Sequence, residues 1–263
     1  MTYYVHDLDP FLWQSEWLVL PWYWLIYVFG FYGVWFYSRY LQRLGFTSMN
    51  MKDFTDYLLA AWFGLLIASR MGYVVFYHFD LYMKEPQKIF AIWEGGMSFH
   101  GGLIGIAGAT YLLHKKKKRG AWHFLDLLAT SAPFALGLGR IANFVNGELV
   151  GRVSTVPWAV IFPRYDSLPR HPSQLYQALG EGLLLAWVMW LSRRKLSVAT
   201  KQTSLFLIAY GMIRWILEFF REPDPQLGFI LWGMSLGQIF CILMVLFGLG
   251  LSYFGPKLPA NSD

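Results

Sequence analysis

The sequence predicts an all-α polytopic membrane protein with seven transmembrane helices. Of its 263 residues, 56% are hydrophobic and only 14% are charged, far fewer than in soluble domains. Several apolar runs also approach the length that crosses a bilayer. A chain of this length has room for one helical bundle and no large soluble domain. We therefore expect residues 1–263 to form a single transmembrane domain.

Seven apolar segments account for most of the chain. We place the spans at residues 17–38, 54–77, 97–114, 121–143, 173–191, 203–220 and 231–254. The third span is short and rich in glycine. The fourth contains Asp126, Pro133 and Arg140, which makes it the least lipid-like. The N-terminus has no basic region before its first apolar run, so it does not resemble a cleaved signal peptide.

Basic residues predict the orientation of these spans. Thirteen of the 22 lysines and arginines lie in the connections on one side, and six lie on the other. Short loops that carry more Lys and Arg favour the cytoplasm, which predicts the N-terminus outside and the C-terminus inside. The run from Lys115 to Arg119 is then a cytoplasmic anchor, and we expect no nucleic-acid partner despite the net charge of +6.

The three remaining basic residues, Arg70, Arg140 and Arg214, fall within predicted spans. An arginine at membrane depth is costly unless it faces protein or water, so each is a functional candidate. Arg70 has an equally good alternative, because it could pair with an acid or extend to the membrane surface.

With this orientation, polar groups from six segments should lie near the outer membrane surface. They are Tyr23, Arg70, His100, Arg140, Asn143, His171, Ser173, Tyr210, Arg214 and Glu218. Tyr210, Arg214 and Glu218 are spaced four apart and share a helix face, so Arg214 and Glu218 could form an ion pair. Arginine presents a planar fork suited to phosphate. Two arginines at headgroup depth would therefore suit a phosphate-bearing lipid.

Two longer connections lie on the predicted outer side. Residues 144–172 contain turn signals and a possible short strand at 158–162, which predicts a small head segment. Residues 78–96 could hold an interfacial helix.

A histidine between two glycine pairs opens the third span, in the sequence EGGMSFHGGLIGIAG at 94–108. Gly101 and Gly105 form a small-xxx-small pattern that lets helices approach closely. His100 instead indicates catalysis, because an imidazole can take a proton from an attacking group near neutral pH. Packing and catalysis both remain open for this segment on its residues alone.

The sequence GRIANFVNGELVG at 139–151 resembles the signature of the prolipoprotein diacylglyceryl transferase family, G-R-x-[GA]-N-F-x-N-x-E-x-x-G. The resemblance extends to HGGLIG from His100, HPSQLYQALGEG from His171, YGMIRWILEFFREPD from Tyr210, and Tyr23 in WYWLIY. It covers essentially the whole chain.

The resemblance implies an enzyme of bacterial lipoprotein maturation in the cytoplasmic (inner) membrane. Such an enzyme transfers diacylglyceryl from phosphatidylglycerol to the lipobox cysteine of a prolipoprotein signal peptide, with its active site towards the periplasm. The residues implied as catalytic are His100, Arg140 and Arg214, with His100 either a base or a substrate-positioning group. Those implied in substrate binding are Tyr23, Gly101, Gly102, Asn143, Asn146, Glu148, Gly151, Tyr210 and Glu218. Neither a metal nor another cofactor is implied.

Two other functional classes fit part of the sequence. A lipid transporter or flippase would explain intramembrane arginines but not the accompanying histidine. A non-catalytic phospholipid-binding membrane protein is the second. The single cysteine, Cys241, excludes an internal disulfide and lies in an apolar span, where we expect an ordinary core residue.

Overall fold

The computed structural model describes residues 2–15, 17, 19–47, 49–76, 79–91, 96–117, 120–194, 200–223, 229–231 and 233–255. Helices dominate this part of the chain. They are α1 (Trp22–Arg43), α2 (Met51–Phe76), α3 (Phe79–Lys84), α4 (Phe99–Lys117), α5 (Ala121–Asn146), α6 (Ser173–Gln177), α7 (Leu185–Ser192), α8 (Lys201–Leu217) and α9 (Leu236–Phe254). A π-helical segment, Ala178–Leu184, joins α6 to α7, and 3₁₀ helices cover Pro86–Phe90 and Glu218–Phe220.

Within the described residues, four helices are long and apolar enough to cross a membrane. They are Met51–Phe76, Ala121–Asn146, Lys201–Phe220 and Leu236–Phe254. All four coincide with predicted spans. The prediction of a largely helical membrane protein is therefore confirmed at this coarser level.

Two predicted spans begin later than expected because short hairpins precede them. Strands β2 (Phe11–Gln14) and β3 (Val19–Pro21) pair, and α1 starts only after Pro21. Likewise, β6 (Phe229–Leu231) pairs with β7 (Met234–Ser235) before α9. Ser235 and Gln238 form a reciprocal capping box that satisfies the first amides of α9.

The chain divides into two compact units. The first contains the described residues up to Thr47 and those from Leu125 onwards. The second contains the described residues from 49 to Phe124.

In the second unit, α2 packs closely against α4 through small residues. A side chain on Gly105 would lie 2.0 Å from the Gly64 carbonyl oxygen, and one on Gly101 would lie 2.3 Å from that of Ala68. The small-xxx-small pattern therefore packs helices, as one of the two sequence interpretations predicted. At the other end of α4, Lys117 forms ion pairs with Asp53 and Asp56 of α2.

In the first unit, a small sheet forms beyond the end of α5. Strand β4 (Val160–Ile161) pairs in parallel with β1 (Tyr4–Val5) and antiparallel with β5 (Pro169–Arg170). The short strand expected at 158–162 is thus present, and its neighbour β1 comes from the N-terminal segment. The buried His6 ring also lies 2.7 Å from the Phe144 carbonyl oxygen through Nε2, which ties this segment to α5.

Helix α8 is capped from α5 and packs closely against α9. Oδ1 of the buried Asp126 accepts hydrogen bonds from the Thr203 amide and hydroxyl, at 2.8 and 2.6 Å. This interaction satisfies donors at the start of α8 that have no partner within the helix. A side chain on Gly211 of α8 would lie 3.0 Å from the carbonyl oxygen of Cys241, which is buried in α9 as expected.

Candidate active site

The last turn of α5 carries the amide side chains of the candidate site. Asn143 is buried, and its Nδ2 donates to the Tyr23 hydroxyl at 2.9 Å and to Glu148 Oε1 at 2.8 Å. Asn146 Nδ2 reaches the same carboxylate oxygen at 3.4 Å. Four predicted site residues, counting Tyr23 and Glu148, thus form one hydrogen-bonded group.

A tight turn after α5 folds Glu148 back onto this helix. Gly147 has φ +68°, a conformation that L side chains rarely adopt, and its amide donates to the Phe144 carbonyl at 3.0 Å. The Glu148 amide then donates to the Asn143 carbonyl at 3.1 Å. The glycine therefore explains how an acid beyond the helix returns to its last turn.

Two of the predicted arginines converge on a third residue, Glu181. Its carboxylate accepts from Arg140 Nε at 2.9 Å and from Arg214 Nη1 at 3.3 Å. Glu181 is fully buried. The sequence interpretation noted Asp126 and Glu218 but did not single out Glu181, although this acid lies in the quoted segment from His171. An acid in an apolar span is itself a functional signal that could have found it.

The local structure around Glu181 brings it close to both arginines. It lies in the π-helical segment between Gly180 and Gly182. A side chain on Gly182 would lie 2.7 Å from the Gly137 Cα of α5, and one on Gly180 would lie 2.7 Å from a Leu217 methyl carbon of α8. Both glycines allow close approach, so Glu181 can reach the neighbouring helices. Such π-helical insertions occur frequently at functional sites.

The predicted pairing of Arg214 with Glu218 is confirmed, with Nη2 lying 2.7 Å from Glu218 Oε2. Glu218 Oε1 also accepts a hydrogen bond from the Ser235 hydroxyl at 3.1 Å. Since Ser235 caps α9, this carboxylate connects the arginine to the start of that helix. Both Nη groups of Arg214 are therefore held by carboxylates.

Arg140 is held differently. Its ion pair with Glu181 uses Nε, and Nη1 lies 3.5 Å from Asn143 Oδ1. Tyr210, one turn before Arg214, lies near Arg140 and Glu181. The Arg140 side chain is also more exposed than that of Arg214, 18% against 9%. Of the two arginines, Arg140 is therefore the one that a ligand can approach more readily.

Gly151 lies in the head segment rather than in this polar group. Its amide donates to the His171 carbonyl at 3.1 Å, and its own carbonyl accepts from Arg170 Nη1 at 2.9 Å. An added side chain would lie 2.3 Å from the His171 carbonyl oxygen. Close backbone packing therefore requires glycine here, and its predicted contact with substrate stays a prediction.

The histidine motif belongs to the second unit. His100 lies in the first turn of α4, and its side chain is outside the described part of the structure. Gly101 and Gly102 are buried against α2, where a side chain on Gly102 would lie 2.6 Å from Ser69 Oγ. The predicted roles of His100, Gly101 and Gly102 towards substrate stay predictions.

Arg70, also in the second unit, forms hydrogen bonds with backbone carbonyls. Its guanidinium donates to the carbonyls of Ile89, Gly96, Lys88 and Ala91, and it lies 5.2 Å from the Tyr82 ring. These bonds tie residues 88–91 and Gly96 to α2. The two sequence interpretations of this arginine, pairing with an acid and extension to the membrane surface, stay predictions.

Comparison with known proteins identifies relatives across nearly the whole chain. The family model of prolipoprotein diacylglyceryl transferase matches residues 10–254. The relatives named phosphatidylglycerol–prolipoprotein diacylglyceryl transferase include the following three. That of Pseudomonas paraeruginosa is 42% identical over 93% of this chain and 92% of its own. The Pasteurella multocida protein is 43% identical over 92% and 90%, and the Coxiella burnetii protein is 41% identical over 94% and 95%.

Proposed function

The chain belongs to the prolipoprotein diacylglyceryl transferase family, and from that premise we propose how its residues perform the reaction. It is a transferase of lipoprotein maturation that moves diacylglyceryl from phosphatidylglycerol to a prolipoprotein. The acceptor is the lipobox cysteine of the signal peptide. A carbon–sulfur bond forms to the diacylglyceryl carbon, the bond from that carbon to the phosphate oxygen breaks, and glycerol phosphate leaves.

The observation that supports this mechanism is the chain of ion pairs from Arg140 through Glu181 to Arg214. Buried charges are costly unless paired, so a protein retains such a group where it has a purpose. The positive charges of the two arginines balance the negative charges of Glu181 and Glu218. Because Arg140 binds Glu181 through Nε, its Nη groups can donate hydrogen bonds to the phosphate of the lipid without losing that ion pair.

Arg140 therefore stabilises the negative charge that develops on the leaving phosphate. Arg214, whose Nη groups are held by Glu181 and Glu218, positions Glu181 and through it Arg140. Tyr23, Asn143, Asn146 and Glu148 form the polar wall that binds the headgroup, and Tyr210 supplies a hydroxyl beside Arg140.

The cysteine must lose its proton, because the thiolate is the nucleophile. We assign this proton to His100 on the family resemblance. The seven predicted spans, an outer N-terminus, and a site facing the periplasmic side of the inner membrane complete the proposal. The excess of basic residues in one set of connections supports this topology.

Mass spectrometry of a lipobox peptide tests the proposed reaction. The protein, reconstituted with phosphatidylglycerol, should add one diacylglyceryl group to the peptide cysteine and release glycerol phosphate. A lipid transporter or a non-catalytic lipid-binding protein would leave the peptide unchanged.

The role of His100 can be tested separately with His100→Gln, which keeps a polar side chain but removes the base. We expect a loss of about 100-fold or more in the rate, as general bases typically contribute that much. His114→Gln is the matched control, since His114 lies on the same helix near its C-terminal end. Near-full activity of His100→Gln would leave His100 without a base role.

A further inference from the structure

One face of the segment after the head carries three polar residues, Gln174, Gln177 and Glu181. All three are completely buried. Residues three or four positions apart in a helix lie on the same side, so Gln177 lies between the other two. Gln174 Nε2 donates to the Glu148 carbonyl at 2.6 Å, and Glu181 binds Arg140 and Arg214. Both neighbours of Gln177 thus touch the candidate site.

Gln177 itself has no hydrogen-bond partner within the described part of the chain, at either Nε2 or Oε1. Gln174 Oε1 is also without a partner among those residues. A buried amide that lacks hydrogen bonds costs free energy, and such groups are rare in native proteins. Gln202 shows the ordinary situation, because it is equally buried but bonds the Ser192 carbonyl and hydroxyl through its amide.

A buried amide without hydrogen-bond partners, one turn before the Glu181 that binds Arg140, is suited to a hydroxyl group. An amide presents a donor and an acceptor, and a hydroxyl can satisfy both. A phosphate oxygen of the lipid can only accept, so it would leave Oε1 without a partner. Phosphatidylglycerol carries two free hydroxyls on its head glycerol. Phosphatidic acid also has one phosphate, but it has no head glycerol.

We propose that Gln177 binds a hydroxyl of the head glycerol and thereby selects phosphatidylglycerol. This inference rests on the proposed function, because it assigns a substrate contact to the same site. Gln177 is a specificity residue, since it touches the leaving headgroup and not the carbon that is attacked.

Gln177→Met tests the assignment because it keeps the side-chain volume and removes both polar atoms. KM for phosphatidylglycerol should rise about tenfold, in line with loss of one or two hydrogen bonds. The kcat and the KM for the lipobox peptide should stay within about threefold, because Gln177 contacts neither the attacked carbon nor the peptide. The inhibition constant of phosphatidic acid as a competitor should not change. The melting temperature should hold or rise, because an unsatisfied amide has been removed.

Gln202→Met is the matched control. It breaks existing hydrogen bonds and should lower the melting temperature while leaving KM for phosphatidylglycerol unchanged. If Gln177→Met does not fold, Gln177→Leu provides the same comparison.

Three results would overturn the inference. They are a lower melting temperature for Gln177→Met with unchanged KM, an equal weakening of phosphatidylglycerol and phosphatidic acid, and a change confined to KM for the peptide. If the unaltered protein forms no adduct, the proposed function fails instead. Direct binding of the two lipids, followed by native mass spectrometry, would then still show whether Gln177 distinguishes them.

Discussion

Buried or half-buried arginines occur in both units of this protein, and their guanidinium groups bond to different kinds of oxygen. In the second unit, the hydrogen bonds of Arg70 to described residues include four to backbone carbonyls. In the first, Arg140 and Arg214 share the buried carboxylate of Glu181. Backbone carbonyls are neutral and fixed by the chain, whereas carboxylates are charged and lie on side chains. An arginine bonded to carbonyls therefore stabilises a fold, and one held between acids can also serve a charged ligand.

Substituting lysine at Arg140 and at Arg70 tests this difference. Arg140→Lys should have the larger effect on the transfer rate. Lysine keeps the charge but lacks the planar fork that contacts Glu181 and phosphate together. We expect kcat/KM for diacylglyceryl transfer to fall about 100- to 1,000-fold, as when one donor to a transition-state oxyanion is removed. The rate of adduct formation on a lipobox peptide measures this loss. Unchanged activity would exclude a bidentate contact of Arg140 with phosphate.

Glu181→Gln should come next, because it removes the charge between two arginines and keeps the shape. Breaking a buried ion pair by removing one partner typically costs about 3–5 kcal/mol. We expect a lower unfolding free energy together with a lower transfer rate. Thermal unfolding in detergent and adduct formation measure the two effects. The same change at Glu222, which lies 3.2 Å from Arg170 and is more exposed, should alter both only slightly. Comparable effects at Glu181 and Glu222 would show that the ion pairs of Glu181 matter no more than an exposed ion pair does.

Arg70→Lys should lower stability by about 2 kcal/mol, because one ammonium cannot bond all the carbonyls that the guanidinium reaches and unsatisfied buried groups are costly. The transfer rate per folded molecule should remain within about threefold, since we place Arg70 outside the reaction. Hydrogen exchange at residues 79–91 should increase. A reduced rate at unchanged stability would place Arg70 among the functional arginines and remove the contrast with Arg140.

Arg170, in the head segment, shows what an ion pair contributes outside the membrane-spanning segments. Its guanidinium bonds both carboxylate oxygens of Asp166 and holds the pKa of that carboxyl below its usual 3.8. The folded state therefore gains stability above about pH 3.8, which is lost as the pH falls through the lower folded-state pKa. Asp166→Asn should remove about 1 kcal/mol or less near neutral pH.

Unfolding curves of the unaltered protein and of Asp166→Asn should thus differ at neutral pH and converge in acid. A stability difference between the two proteins that persists below the folded-state pKa would mean that the charge of Asp166 does not cause it.

Local features of the sequence predicted much of this structure. Apolar runs located the helices, because the length needed to cross a bilayer is visible in the chain itself. The four-residue spacing of Arg214 and Glu218 predicted their ion pair, since residues so placed meet within one helix. The signature at 139–151 predicted that Asn143, Asn146 and Glu148 act together, and the structure joins them to Tyr23 by hydrogen bonds.

The sequence by itself thus determined the helical membrane fold, the family and most residues of the candidate site. Only the tertiary structure decided which polar groups are partners across different helices. Glu181 joins two arginines that lie 41 and 33 residues away, and the Arg70 side chain bonds carbonyls of a later segment. Gln177 and Gln202 are the same residue type, yet only the second finds partners among the described residues. Periodicity records which residues share a helix face, but partners on other segments depend on how the helices pack and on close contacts such as that of Gly137 with Gly182.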